Sequence, residues 1–260
     1  MQATQIELQL ERTRALGHYC ERMPSNQTST SVALEGTAAL AQKINGQHLP
    51  RYVAIEGPIG VGKTTLARKI AQVFDYPLLL EPAAENPFLD RYYRDGKRHA
   101  LSTQLFFLLH RAQQVAELHN NDLLGPLVVA DFLMEKDDLF ARMTLDENEY
   151  ALYTQIHESL GIQAPTPDLV IYLQAPVDIL QERIRDRGID YERQIEGAYL
   201  NSLADAYTEF FHFYNQAPLL VVNAATIDFA NNDAHFNALL DQMLAMDGLR
   251  QYFNPNPTLL

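Results

Sequence analysis

The sequence predicts an α/β domain of three layers, a five-stranded parallel sheet flanked by helices. Three features carry that expectation. Five short apolar runs, at residues 52–56, 77–80, 126–130, 169–173 and 219–222, have the nearly continuous character of strands buried on both faces. Stretches with helical spacing lie between and after them, at 66–74, 102–120, 146–160, 177–187, 198–214 and 235–246. A glycine-rich segment joins the first run to the first helix. Strands alternating with helices imply crossover connections and a doubly wound sheet. Ligands of such sheets sit beyond the carboxyl ends of the strands, so the residues that end each run are the first candidates for a site.

The elements follow in order. Tyr52-Val53-Ala54-Ile55 is a short β-rich run, and the helix after it places Leu66, Ile70 and Phe74 on one face. The second run stops at Glu81-Pro82 and the third at Asp131. The helix of 102–120 carries Gln104 and Arg111 seven apart and therefore on one side. Gly188 closes the helix of 177–187. Residues 1–50 lack strong periodicity and include a Ser/Thr/Asn-rich stretch, so they are expected to be a flexible or loosely docked extension to a domain of residues 51–260.

Composition narrows the function classes. With 260 residues and 47% apolar content the chain can bury one substantial core. Its formal charge of -13 repels nucleic acid and anionic membrane, so phosphate must be bound by a local basic site. Cys20 is the only cysteine, which excludes a disulfide scaffold and a cysteine-based zinc site. No apolar stretch is long enough to span a bilayer, and charged residues occupy the N-terminus where a signal peptide needs an apolar core. The expectation is a cytoplasmic protein.

Gly57-Pro58-Ile59-Gly60-Val61-Gly62-Lys63-Thr64 is a complete Walker A phosphate loop, and Thr65 continues it into the helix. In such a loop consecutive N–H groups and a helix N-terminus surround phosphates, the lysine reaches the β/γ oxygens and the threonine hydroxyl ligates Mg²⁺. A nucleoside triphosphate with Mg²⁺ is therefore the expected ligand. Glu81 and Asp131 end strands at the same sheet edge. A carboxylate there can take a proton from an attacking hydroxyl or hold Mg²⁺. Arg183 and Arg187, four apart, project from one helix face and suit a phosphoryl clamp; equally, they suit a solvated face paired with Glu182 and Asp186. Gln104 suits reading a nucleobase edge or, more plainly, a polar position on an amphipathic helix.

As an ordered set, these residues resemble the deoxyribonucleoside kinase family. The set is Ile55-Glu56-Gly57 through Thr64, Glu81-Pro82, Asn86-Pro87-Phe88-Leu89 with Tyr92-Tyr93, Gln104 and Arg111, Asp131, and Arg183 to Gly188 with Glu192. The Asn-Pro-Phe-Leu piece is most similar to the bacterial branch, whose members usually prefer purine deoxynucleosides. The resemblance implies a P-loop kinase fold with a helical lid, ATP as the ligand of the loop, and often a homodimer. It implies that Glu81 takes the proton from the 5′-hydroxyl, that Tyr93 and Glu192 hold the 3′-hydroxyl, and that Gln104 reads the base with Arg111 beneath it. Arg183 and Arg187 match the lid arginines that close over ATP, and Asp131 the central acidic strand end.

One departure from the family stands out. The acidic strand end usually continues Asp/Glu-Arg-Ser, whereas this chain reads Asp131-Phe132-Leu133. Lys136 can supply the missing charge but not bidentate geometry. Two other readings share parts of the pattern. A nucleoside monophosphate kinase such as thymidylate kinase has the loop and lid but needs further basic residues for the acceptor phosphate. A kinase-shaped subunit without turnover fits the altered Asp131-Phe132 motif.

Overall fold

The computed structural model describes residues 49–119, 127–229 and 231–255. The expected extension of residues 1–50 lies almost wholly outside the described residues. The sheet has six parallel strands, β1 (Tyr52–Glu56), β2 (Leu78–Leu79), β3 (Val128–Ala130), β4 (Leu169–Gln174), β5 (Leu219–Asn223) and β6 (Arg250–Phe253), in the spatial order β2-β3-β1-β4-β5-β6. The expectation of five strands is corrected by β6. That strand is an edge element of half-exposed residues paired to β5, so it lacks the continuous apolar run that identified the others. Arg250 anchors it, donating to the carbonyls of Phe211 and Tyr214 at 2.8 Å each.

Eight helices accompany the sheet among the described residues: α1 (Lys63–Phe74), α2 (Leu89–Arg94), α3 (Gly96–His119), α4 (Lys136–Thr144), α5 (Glu147–Leu160), α6 (Val177–Arg187), α7 (Gly197–Phe213) and α8 (Asp233–Leu244). Of these, α2 and α4 were not anticipated. Both are short, and α4 opens on Lys136-Asp137-Asp138, which reads as a solvated surface although Lys136 and Asp137 are buried. α5 starts where its capping box predicts, since Asp146 accepts from the N–H groups of Asn148 and Glu149 while Glu149 returns to Asp146.

β1 lies between β3 and β4, with every residue buried. The chain leaves β1, builds β2 and β3 on one side, then crosses to β4 on the other. The end of β1 is therefore the switch point of the sheet, where a crevice opens. On one face, Tyr52, Ala54, Val170 and Tyr172 pack against Leu203, Tyr207 and Phe211 of α7. The Tyr172 and Phe211 rings stack with centroids 4.1 Å apart. Val53 and Ile55 point to the other face by the two-residue period and are fully buried. α1, which packs on β1 and β3, contributes the equally buried Leu66 and Ile70 there.

Glu56, at the end of β1, is fully buried and fixed from four directions. Its Oε1 accepts from Gly57 N at 3.1 Å and from the Tyr207 hydroxyl at 2.8 Å. Its Oε2 accepts from Leu133 N at 2.8 Å and lies 3.7 Å from Lys136 Nζ. One carboxylate thus joins β1, the turn after β3, α7 and α4. Tyr207→Phe, which keeps the ring and removes one donor to a buried charge, is expected to cost about 1–3 kcal/mol. Urea denaturation, read at the midpoint with unchanged slope, measures it.

Candidate active site

The glycine loop after β1 turns through Gly57 (φ 145°), Gly60 (φ 84°) and Gly62 (φ 107°), conformations that side chains disfavour. A Cβ on Gly60 would also lie 2.8 Å from the Leu180 carbonyl oxygen, so the loop rests directly on α6. α1 begins at Lys63 without a side-chain cap, which leaves its first N–H groups for an anion. Lys63 Nζ donates to the carbonyls of Gly57 and Pro58 at 2.7 and 3.2 Å. Burial lowers its pKa, against the pull of Glu56. A polyphosphate would add counter-charge to that of the carboxylates around this buried ammonium.

The Thr64 hydroxyl donates to Asp131 Oδ2 at 2.5 Å, and Asp131 Oδ1 accepts from Glu81 N at 2.8 Å. Asp131 therefore ties the phosphate loop to the segment after β2. Thr64 and Asp131 give two oxygen donors beside the loop, which fits a magnesium ion that keeps waters and takes its other ligands from phosphate. No cluster of three or more His, Cys, Asp or Glu able to hold a metal occurs among the described residues, so the ion would be held jointly with the nucleotide.

A cavity of about 830 Å³, well within the range of small-molecule sites, opens from the loop. Its walls bring together Ile59 to Thr65, Glu81, Tyr93, Gln104, Arg111, Asp131, Arg183, Arg187 and Glu192. Gly57 and Pro58 lie behind it and hold Lys63. Glu81 stands at the centre, one oxygen ion-paired with Arg111 and the carboxylate 3.2 Å from Lys136 Nζ. Burial alone would raise its pKa, but Lys136, Arg111 and Lys63 hold it down to about 2. Gln114 Nε2 donates to Leu80 O at 2.9 Å and fixes the backbone just before it.

Arg111 lies across the cavity floor between Glu81 and Asp137, ion-paired to both, with the Phe107 and Phe132 rings 5.4 and 5.6 Å from its guanidinium carbon. Gln104 Nε2 donates to the Thr144 hydroxyl at 3.2 Å, and that hydroxyl donates to Phe140 O at 2.7 Å. With its proton committed to a carbonyl, the Thr144 oxygen can only accept from Gln104, so the amide presents its carbonyl oxygen away from Thr144. Beside it, the buried Thr103 hydroxyl on the cavity wall has no hydrogen-bond partner among the described residues. Asn86 holds this wall to α3, accepting from Phe88 N at 3.0 Å and donating to Thr103 O at 3.3 Å.

At the other end, the Tyr93 ring stacks on Tyr191 with centroids 6.1 Å apart and planes 10° apart. Burial, with Glu192 nearby, raises the Tyr93 pKa, so its hydroxyl stays protonated and able to donate. Glu192 is ion-paired with Arg187. Arg183 donates to the carbonyls of Val61 and Ala224 at 3.2 and 2.8 Å, and to those of Ala225 and Ile227 at 3.4 and 3.3 Å. The two arginines have different partners: Arg183 joins the phosphate loop to the turn after β5, while Arg187 meets the carboxylate of the short helical turn Asp190–Gln194.

This combination of loop, central carboxylate and polar cavity has counterparts in known proteins. The family model for deoxynucleoside kinase matches residues 53–246. The chain belongs to the deoxynucleoside kinase family. It is 34% identical to a deoxyguanosine kinase of Bacillus subtilis (strain 168), over 72% of this chain and 93% of that one. It is 26% identical to a deoxyadenosine/deoxycytidine kinase of the same organism, over 76% and 95% of the two chains. A solved deoxyadenosine kinase from M. mycoides with bound dATP superimposes with a TM-score of 0.65 at 25% identity, covering 74% of this chain and 98% of that one.

The deoxynucleoside kinase sequence did not disclose every residue that shapes the site. Glu56 was visible only as part of a motif, without a role. Asp137 and Thr144 carried no signal, because each owes its importance to a neighbour distant in sequence, Arg111 and Gln104; Thr103 carried none because only the fold brings it to the cavity wall. The arginine pair also differs from a simple clamp, since Arg183 spends its guanidinium on carbonyls. Arg183→Ala is therefore expected to loosen the phosphate loop and raise the Kd for ATP about tenfold, with deoxynucleoside affinity unchanged. Isothermal titration with each ligand separately checks this.

Proposed function

We propose that the protein transfers the γ-phosphate of ATP to the 5′-hydroxyl of a purine deoxynucleoside. The observation that carries this reading is Glu81, a carboxylate on the wall of the same cavity as the phosphate loop and held by two cations. In the reading, the loop from Gly57 to Thr65 holds the phosphates, with Lys63 on the transferring group. Thr64 and Asp131 would hold Mg²⁺, which supplies charge neutralisation at the phosphate oxygens. Glu81 accepts a hydrogen bond from the 5′-hydroxyl and aims it. Tyr93 and Glu192 take the 3′-hydroxyl, and Gln104 takes the base above Arg111. Arg187, ion-paired with Glu192, would close over ATP from the C-terminal end of α6.

A Glu81 pKa near 2 makes it a weak base. That suits phosphoryl transfer, whose loose transition state asks for positioning and charge neutralisation more than for early proton removal. The acceptor-side cations also bear on the acceptor's charge. Arg111 is held by Glu81 and Asp137, and Lys136 by Glu81 with Glu56 beside it. An acceptor carrying its own phosphate would have to break these pairs, so the geometry favours a neutral nucleoside over a nucleoside monophosphate. The purine preference is supported by the relatives' substrates and by a cavity lined by both Gln104 and Thr103. Leu109 and Leu152 are both exposed, on helices α3 and α5 that pack together, and a homodimer that covers them is part of the same reading, as is a cytoplasmic location.

The decisive experiment is phosphate transfer from Mg-ATP to each of the four deoxynucleosides, with thymidylate alongside. Transfer to deoxyguanosine or deoxyadenosine is expected, and transfer to thymidylate alone would overturn the reading. Glu81→Gln is expected to lower kcat by about 10²–10³-fold while the KM for ATP changes little. Thr144→Val, which releases the Gln104 amide, is expected to narrow the kcat/KM ratio between the preferred and the disfavoured purine about tenfold, measured in competition assays.

A further inference from the structure

Lys136 is a buried ammonium in a place that needs a reason. It starts α4 immediately after the turn from β3, and its side chain is 3% exposed. Its Nζ lies 3.2 Å from the Glu81 carboxylate and 3.7 Å from Glu56 Oε2. The rings of Phe132 and Phe140 flank it, each with its centroid 5.9 Å away. The same side chain lines the cavity wall. Burying a lysine is costly unless its charge is met. Here two carboxylates and two ring faces meet it from all sides.

The partners are unequal. Glu56 is immobile, fixed by Gly57 N, Leu133 N and the Tyr207 hydroxyl. Glu81 is the more exposed of the two and lies between the two-residue strand β2 and the short helical turn Ala83–Glu85. An ammonium between a fixed carboxylate and a more exposed one transfers the rigidity of the first to the second. Arg111, on the opposite side, fixes one oxygen of Glu81 and is itself fixed by Asp137. With only that contact, the carboxylate could pivot about it.

We infer that Lys136 is a positioning residue for the reaction: it locks the Glu81 carboxylate, through the rigid Glu56, in the orientation that aims the acceptor hydroxyl. The inference rests on the proposed role of Glu81 and deepens it. A misaimed nucleophile slows the chemical step without weakening the binding of either substrate. Lys136 therefore acts on kcat.

The test compares wild type, Lys136→Ala and Lys136→Gln in steady-state phosphate transfer from Mg-ATP to the best deoxynucleoside, with ATP affinity measured separately. For Lys136→Ala we expect kcat to fall about 100-fold while both KM values stay within about threefold. Because the vacated space opens on the cavity, added methylammonium or ethylammonium is expected to restore kcat at least about tenfold, and methanol or ethanol at the same concentration to restore nothing. A kcat within about threefold of wild type, a loss carried by KM, or equal rescue by the alcohols would overturn the inference while leaving the kinase reading intact. Should the alanine form not fold, Lys136→Gln, which retains a donor but no charge, must show the same kcat loss; full turnover by it overturns the inference. Absence of transfer by the unaltered chain removes both the inference and the reading beneath it.

Discussion

The carboxylate of Glu56 is the constraint on which the rest of the site depends. It closes β1 with no exposure to solvent, and a charge there is tolerable only if its oxygens are filled by donors. The donors come from three separate parts of the chain: the first N–H of the phosphate loop, the N–H of Leu133 in the turn after β3, and the hydroxyl of Tyr207 on α7. Each could be placed elsewhere only by leaving a buried charge short of a partner. The sheet therefore fixes Glu56, and Glu56 fixes the angle at which the loop, the turn and the helix leave the sheet.

From that point a chain of charges crosses the cavity floor. Glu56 faces Lys136, Lys136 faces Glu81, Glu81 faces Arg111 and Arg111 faces Asp137. Alternating signs let five charges share a small, largely buried space, whereas two adjacent like charges would push one another's protonation apart. The alternation does not maximise stability, since buried pairs often do no better than apolar residues of equal volume. Its value is directional. Each member has a partner on both sides or lies against a fixed wall, so the Glu81 carboxylate is held at a defined place, as its backbone already is by Asp131 and Gln114.

The donor half of the site was legible in the sequence and the acceptor half only in outline. Backbone groups do most of the work at the phosphate loop, and backbone geometry is written in the spacing of Gly57, Gly60, Gly62 and Lys63. The parallel sheet was legible for the same reason, because strands buried on both faces announce themselves as apolar runs. The edge strand β6 has one covered side and does not. The acceptor half is built of side chains that meet across long separations, such as Arg111 with Asp137 and Gln104 with Thr144. Asp137 and Lys136 sit in a run of charged residues that composition alone assigns to the surface. Only packing shows that Lys136 and Asp137 point inward and Asp138 outward.

This division has a consequence for how the site can change. The donor half is shared out over glycine φ angles, a helix N-terminus and the carbonyls gathered by Arg183, so an alteration in any one disturbs all contacts to the nucleotide. The acceptor half hangs on α3, which presents Thr103, Gln104, Phe107 and Arg111 along one side of a single rigid element. Residues on that side line the cavity, while the phosphate loop is tied to Glu56 and Asp131. On the proposed reading, base selection can drift by exchange of a side chain on α3, or of one such as Thr144 that orients it, without touching the phosphate loop. The converse does not hold, because Asp131 bonds both Thr64 and the Glu81 backbone and so belongs to both halves. Asp131 thus holds the phosphate loop and the Glu81 segment at one fixed spacing.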